Sequence, residues 1–149
     1  MTSQLMSAPK CLLPSEGESY NLLDSTFTIK ISGQETEGQW IMYEIVAPTG
    51  HEPPLHSHPW DETFYVLDGE MEVQVNQVKT LAKAGCMMFV PKNVPHTFKV
   101  CSPTAKMLVI LAPASADAFY REYGEKIKDF PTLEDLKYFG DKYGIRAYF

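Results

Sequence analysis

The run His56-Ser57-His58-Pro59-Trp60-Asp61-Glu62-Thr63-Phe64-Tyr65-Val66-Leu67-Asp68-Gly69-Glu70 decides how this chain is read. Residues two apart on an extended segment point to the same face, so His56 and His58 are placed to converge on one ion. Glu62 follows four residues after His58, and His96 arrives from a later segment. Nitrogen and oxygen donors of this kind suit first-row divalent metals. The chain has only 4 histidines, and three of them belong to this set.

Working outward, Asp68-Gly69 separates two apolar-alternating runs and reads as a tight hairpin turn, since glycine takes positive φ without steric cost. In Glu70-Met71-Glu72-Val73-Gln74-Val75 the apolar residues fall on one face and the polar ones on the other. The same period predicts strands at Phe27–Ile31, Trp40–Val46, Glu62–Leu67, Cys86–Val90, Thr97–Val100 and Met107–Leu111. Short strands punctuated by Gly, Pro and Asn point to an all-β sandwich or barrel.

Residues 1–20, with Pro9 and Pro14, read as an irregular arm, and residues 21–112 as the β domain. Beyond Pro113 the pattern turns helical through residue 149. Ser115 is placed to cap a helix ending at Gly124, and Thr132 a second from Leu133 to Tyr143, ended by Gly144. Leu133, Leu136 and Phe139 recur at a spacing that would dock one face on the barrel.

Composition excludes several functions. A formal net charge of −6, without a basic stripe, argues against nucleic acid. Three separated cysteines (Cys11, Cys86, Cys101) form neither a CxxC pair nor a disulfide framework and read as reduced thiols. No apolar run reaches the ~18 residues of a membrane span, and no signal peptide is evident, so a cytoplasmic protein without membrane contact is expected. There is no phosphate-binding glycine loop, GxSxG elbow or HExxH helix. Glu70 and Glu72 read as a solvated hairpin face, His51 as an exposed turn residue, and Met87 and Met88 as core filler.

The spacing of Gly50, His56, His58, Glu62 and Gly69, followed after fifteen residues by Gly85, Pro91 and His96, resembles the two motifs of the cupin superfamily. Asn93 stands where that family usually has glycine, and Val100 where it often has asparagine. Asparagine tolerates left-handed backbone, so the turn should survive. The stretch Pro54 to Gly69, and more weakly the ending Lys142-Tyr143-Gly144-Ile145, is similar to small single-domain cupins of the quercetin dioxygenase-like type.

The resemblance implies a jelly-roll barrel (a double-stranded β-helix) of two antiparallel sheets with a short C-terminal helical tail. It makes His56, His58, Glu62 and His96 the ligands of one divalent metal, whether Mn, Fe, Co, Ni, Cu or Zn. Val94-Pro95 would fix the approach of His96. Phe64 and Phe98 share parity with Glu62 and His96 and are candidate pocket residues, with Met42 and Glu44 on the preceding strand as further candidates.

The implied activity is a dioxygenase-like oxidoreductase on a small organic substrate, with Glu62 as general base. A short single barrel speaks against a flavonol, since many quercetinases use two fused barrels. A non-catalytic binding or sensing cupin and a metal-assisted isomerase, lyase or decarboxylase remain open, because fold and ligands alone do not choose. The family's habits also imply a homodimer through a barrel sheet, with Phe27–Ile31 suited to N-terminal strand exchange.

Overall fold

The computed structural model describes residues 8–148; the first seven residues of the expected arm and Phe149 lie outside them. The alternating runs become two antiparallel sheets. The strands in chain order are β1 (Glu18–Leu22), β2 (Ser25–Ile31), β3 (Ile41–Pro48), β4 (His56–Ser57), β5 (Asp61–Asp68), β6 (Glu70–Val75), β7 (Val78–Lys83), β8 (Met87–Val90), β9 (His96–Val100), β10 (Thr104–Ala112) and, after helices α1 (Ala116–Lys126) and α2 (Leu133–Tyr143), β11 (Arg146–Ala147). One sheet has the order β1-β2-β3-β10-β5-β8, the other β11-β4-β9-β6-β7. The fold is an all-β jelly-roll sandwich with two short helices; the sheets do not close into one barrel.

Strand alternation explains the core. Ile41, Tyr43, Ile45 and Ala47 of β3 face inward, as do Phe64 and Val66 of β5, Met71 and Val73 of β6, and Met107, Val109 and Leu111 of β10. A one-residue slip in any of these strands would turn its apolar set to solvent, which fixes register. Two turns hold the strands that frame the site. Asp68-Gly69 does not make the expected hairpin: β5 pairs with β10 and β8, and β6 with β7 and β9, so Gly69, with φ of 87°, bends the chain from one sheet into the other. Asn93 takes φ of 65°, in the left-handed region that asparagine tolerates.

Several elements differ from the sequence expectation. Residues of the expected irregular arm enter β1, which pairs Glu18 with Ile29 and Leu22 with Ser25. β2 is consequently flanked by β1 and β3 of its own chain and is not a free edge. β7 was invisible to periodicity because it is an edge strand exposed on both faces except at Ala82. Met87 is exposed on β8 rather than core, and Met88 is only partly buried.

The helices were largely predicted. α2 starts at Thr132 with a complete capping box to Asp135 and ends at left-handed Gly144, φ 73°. α1 runs past Gly124 to Lys126, and Ser115 makes no side-chain cap. Gly124 answers a packing need instead: a Cβ there would lie 2.7 Å from Cδ1 of Tyr20. On α2, Phe139 is buried, whereas Leu133 is 83% exposed and does not dock.

Candidate metal centre

His56 lies on β4, Glu62 on β5 and His96 on β9, with His58 in the connection between the first two. β4 is too short to hold itself. It pairs with β9, where His56 is opposite His96, and with β11, where Ala147 is opposite His56. The C-terminal tail adds Tyr148 N–H to the Leu55 carbonyl at 2.8 Å and Tyr148 hydroxyl to Ser57 Oγ at 3.0 Å. On the other side Thr97 Oγ1 donates to the Pro53 carbonyl at 2.5 Å, tying the first motif to β9. The sites of the four side chains are thus fixed by backbone pairing as well as by packing.

Donor nitrogens of His56, His58 and His96 all lie within 4.8 Å of one another. Each imidazole is oriented by its Nδ1–H, which donates to a backbone carbonyl: Pro54 for His56 at 2.8 Å, Trp60 for His58 at 3.0 Å and Val94 for His96 at 2.8 Å. That is the outer support that fixes the tautomer of metal-binding histidines and leaves Nε2 as the donor. Glu62 Oε2 sits 2.7 Å from His58 Nε2 and 3.0 Å from His96 Nε2. With every Nδ1–H already engaged, lone pairs of imidazole and carboxylate face one another in a buried space. Such a junction needs a cation, either a proton on an imidazole or a metal ion. The donor set therefore fits a first-row divalent metal.

The electrostatics agree. Burial by itself would raise the Glu62 carboxyl, but the two imidazoles outweigh it and hold the group at about 2. Burial pushes His56 down to about 4, so it is neutral at pH 7. For His96 burial pulls downward, while the hydrogen bond and charge of Glu62 prevail and raise it. Glu62 is ionised at neutral pH.

All four residues border a cavity of about 200 Å³. Phe64 and Phe98 line it too, with ring centroids 6.2 Å apart, and Phe64 lies 6.3 Å from His96. Met42 does not. The cavity is lined instead by Tyr43 and Ile45, and Met42 and Glu44 occupy the opposite parity of β3. His51 is half-buried rather than exposed: it lines the cavity, its Nδ1 is 3.3 Å from Ser25 Oγ, and its ring is 5.6 Å from Phe98.

Sequence reasoning missed several walls of the cavity. Trp60 stacks on His58 at 4.6 Å and 13°, and its Nε1 is buried with no hydrogen-bond partner among the described residues. Phe119, Tyr120 and Tyr123 come from α1, and Leu136 and Phe139 from α2. Nothing local marks these as pocket residues, although the apolar face of α2 was visible in the sequence.

The family model for the cupin domain matches residues 42–111, the interval that contains His56, His58, Glu62 and His96. Residues 42–111 are a cupin domain. Among curated proteins it is similar to quercetin 2,3-dioxygenase of Bacillus subtilis (strain 168), 28% identical over 120 residues, covering 80% of this chain and 36% of that protein. This cupin thus spans about a third of that relative's length. Solved structures share the fold. The polyketide cyclase RemF from Streptomyces resistomycificus superposes with a TM-score of 0.64 at 21% identity, over 72% of this chain and 80% of the other. KdgF from Halomonas sp. gives 0.64 at 16%, over 71% and 94%. An RmlC-like cupin from Shewanella frigidimarina gives 0.61 at 21%, over 74% and 96%.

Proposed function

We propose that this cupin is a metal-dependent oxidoreductase of dioxygenase type acting on a small oxygenated organic molecule. The observation that carries the reading is a three-histidine, one-carboxylate cluster opening onto an apolar cavity rather than sealed in the core. A cavity beside the donors, small but open to a ligand, favours chemistry over storage, and the similarity to a quercetin 2,3-dioxygenase favours oxidative chemistry. His56, His58, Glu62 and His96 would hold one divalent transition metal, which when bound supplies Lewis-acid and redox chemistry at that point.

The chain's own residues have defined tasks. The three imidazoles, locked by their carbonyl acceptors, present Nε2 without rearrangement. Glu62 is ionised and so is in the protonation state of a general base toward a substrate hydroxyl. Its contacts to His58 and His96 make it a weak base, so proton capture depends on its release from them. Phe64, Phe98 and Trp60 exclude water and pack on a planar ligand.

The outer face of the six-stranded sheet supports a homodimer. Tyr65, Leu67, Met87, Phe89 and Ile110 are exposed there. Register makes them contiguous: Tyr65 is opposite Met87, Phe89 opposite Thr63, and Thr63 opposite Ile110. A self-complementary pairing of this face would bury them. Among the described residues no helix is long and apolar enough to cross a membrane. A cytoplasmic location remains part of the proposal.

The test is elemental analysis of gently purified protein followed by oxygen-electrode assays against catechols, enediols and flavonols. Near-stoichiometric redox metal with substrate-dependent O₂ uptake is expected. Metal without O₂ uptake from any of them would move the reading to an isomerase, lyase or binding cupin.

A further inference from the structure

Two buried tyrosines meet on the wall of the cavity. Tyr43 of β3 donates its hydroxyl to that of Tyr120 of α1 at 3.1 Å, and both residues line the cavity. Phe27 packs against both rings, with centroids 5.1 Å from Tyr43 and 5.4 Å from Tyr120, and the two tyrosine rings are 5.1 Å apart. Three mutually packed rings fix where the hydroxyls point.

Two hydroxyls carry two protons, and one hydrogen bond between them uses one. The Tyr120 proton has no acceptor among the described residues, although the side chain is buried. A buried donor without a partner is costly unless something fills the place. Burial and the Glu62 charge both push the two phenols upward, so they stay protonated and act as donors, not as bases. Among the described residues no Lys or Arg lines the cavity, so apart from the histidine cluster nothing there would neutralise a carboxylate.

We propose that the Tyr43–Tyr120 pair is a second anchoring point, at which Tyr120 donates a hydrogen bond to a neutral acceptor oxygen of the substrate and Tyr43 positions it. This rests on the metal-centre reading for the other anchor. The substrate class follows from the two ends. A hydroxyl-bearing part, catechol or enediol, meets His56, His58 and His96, and a neutral carbonyl elsewhere on the molecule meets Tyr120. A cavity of about 200 Å³ lies below the ~300–1,000 Å³ of sites for drug-sized ligands, which limits the molecule to about one ring.

The experiment measures anaerobic binding of three probes to zinc-loaded protein by calorimetry: catechol, 3,4-dihydroxybenzaldehyde and 3,4-dihydroxybenzoate. Wild-type protein is expected to bind the aldehyde about 10-fold tighter than catechol, and tighter than the benzoate. Tyr120→Phe, which keeps the ring packed on Phe27, should abolish the aldehyde preference while leaving zinc stoichiometry and catechol affinity within about 2-fold. Tyr43→Phe should reduce the preference only about 3-fold, because Tyr120 loses its orienting partner but keeps its proton. Persistence of the full aldehyde preference in Tyr120→Phe, or a preference for the benzoate, would overturn the anchor. If wild-type protein binds no zinc, the metal centre fails instead, and the aldehyde-to-catechol ratio on metal-free protein still reads the anchor. Tyr43→Phe serves as the second variant should Tyr120→Phe melt early.

Discussion

Glu62→Gln is the substitution that most directly probes the proposed metal centre. The side chain keeps its shape but loses its charge at a point 2.7 Å and 3.0 Å from two imidazole nitrogens. A carboxyl held from 4.5 down to about 2 reflects about 3 kcal/mol of preference for negative charge at that point, despite burial. A divalent ion replaces shared protons with a full double charge, so the preference in the loaded protein is at least that large. Metal affinity should therefore fall about 100-fold or more. The assay is competition of Zn²⁺ or Mn²⁺ against a chromogenic chelator, with circular dichroism as the check that the sheets persist. Affinity within about 3-fold of wild type, on a folded protein, would refute the assignment of Glu62 as a ligand. In the same assay His96→Ala should lose most of its metal, since it removes a donor and the partner of Glu62 together.

The remaining predictions probe the scaffold. Gly69→Ala should destabilise by about 2–3 kcal/mol, roughly 5–10 °C in Tm, because φ is 87° and the new Cβ would lie 2.4 Å from the Thr104 carbonyl oxygen; an unchanged melt would contradict the turn geometry. Glu122 joins α1 to α2 through Lys126, Lys142, Tyr138 and Tyr143, whose hydrogen bonds hold its carboxyl well below the usual range. A lowered folded-state value means that its stabilisation is present above about pH 4.5 and lost as pH falls through the folded value. The Tm gap between wild type and Glu122→Gln should accordingly close on acidification, and a gap constant from pH 7 down to pH 2 would exclude that contribution. Phe89→Lys should convert a micromolar dimer to monomer in sedimentation velocity without shifting metal stoichiometry, and a wild-type monomer at that concentration would remove the proposed interface.

Much of the fold was legible because its signals are local. Strand period and the Thr132 cap depend on residues within a few positions and appear as the sequence indicates, whereas Asp68-Gly69 bends the chain at the expected place but carries it into the other sheet instead of closing a hairpin, because strand partners are chosen across the fold. Strands lacking an apolar face, such as β7, left no pattern to read. Gly124 misled because glycine serves two purposes, ending a helix or admitting a neighbour, and only Tyr20 decides between them. Leu133 kept its helical spacing but lies beyond the docked part of α2.

By itself the sequence determined the all-β class and brought His56, His58, Glu62 and His96 under suspicion, because two short motifs carry all four. Tertiary structure alone decided what surrounds them. Which face of β3 meets the cavity is a matter of register, and it places Tyr43 and Ile45 there while excluding Met42. The Tyr43–Tyr120 contact joins a strand to a helix 77 residues away. His51 turns inward because Ser25 and Phe98 receive it. Such contacts are set by how sheets and helices stack, and no local periodicity encodes the partner a side chain will meet across the fold.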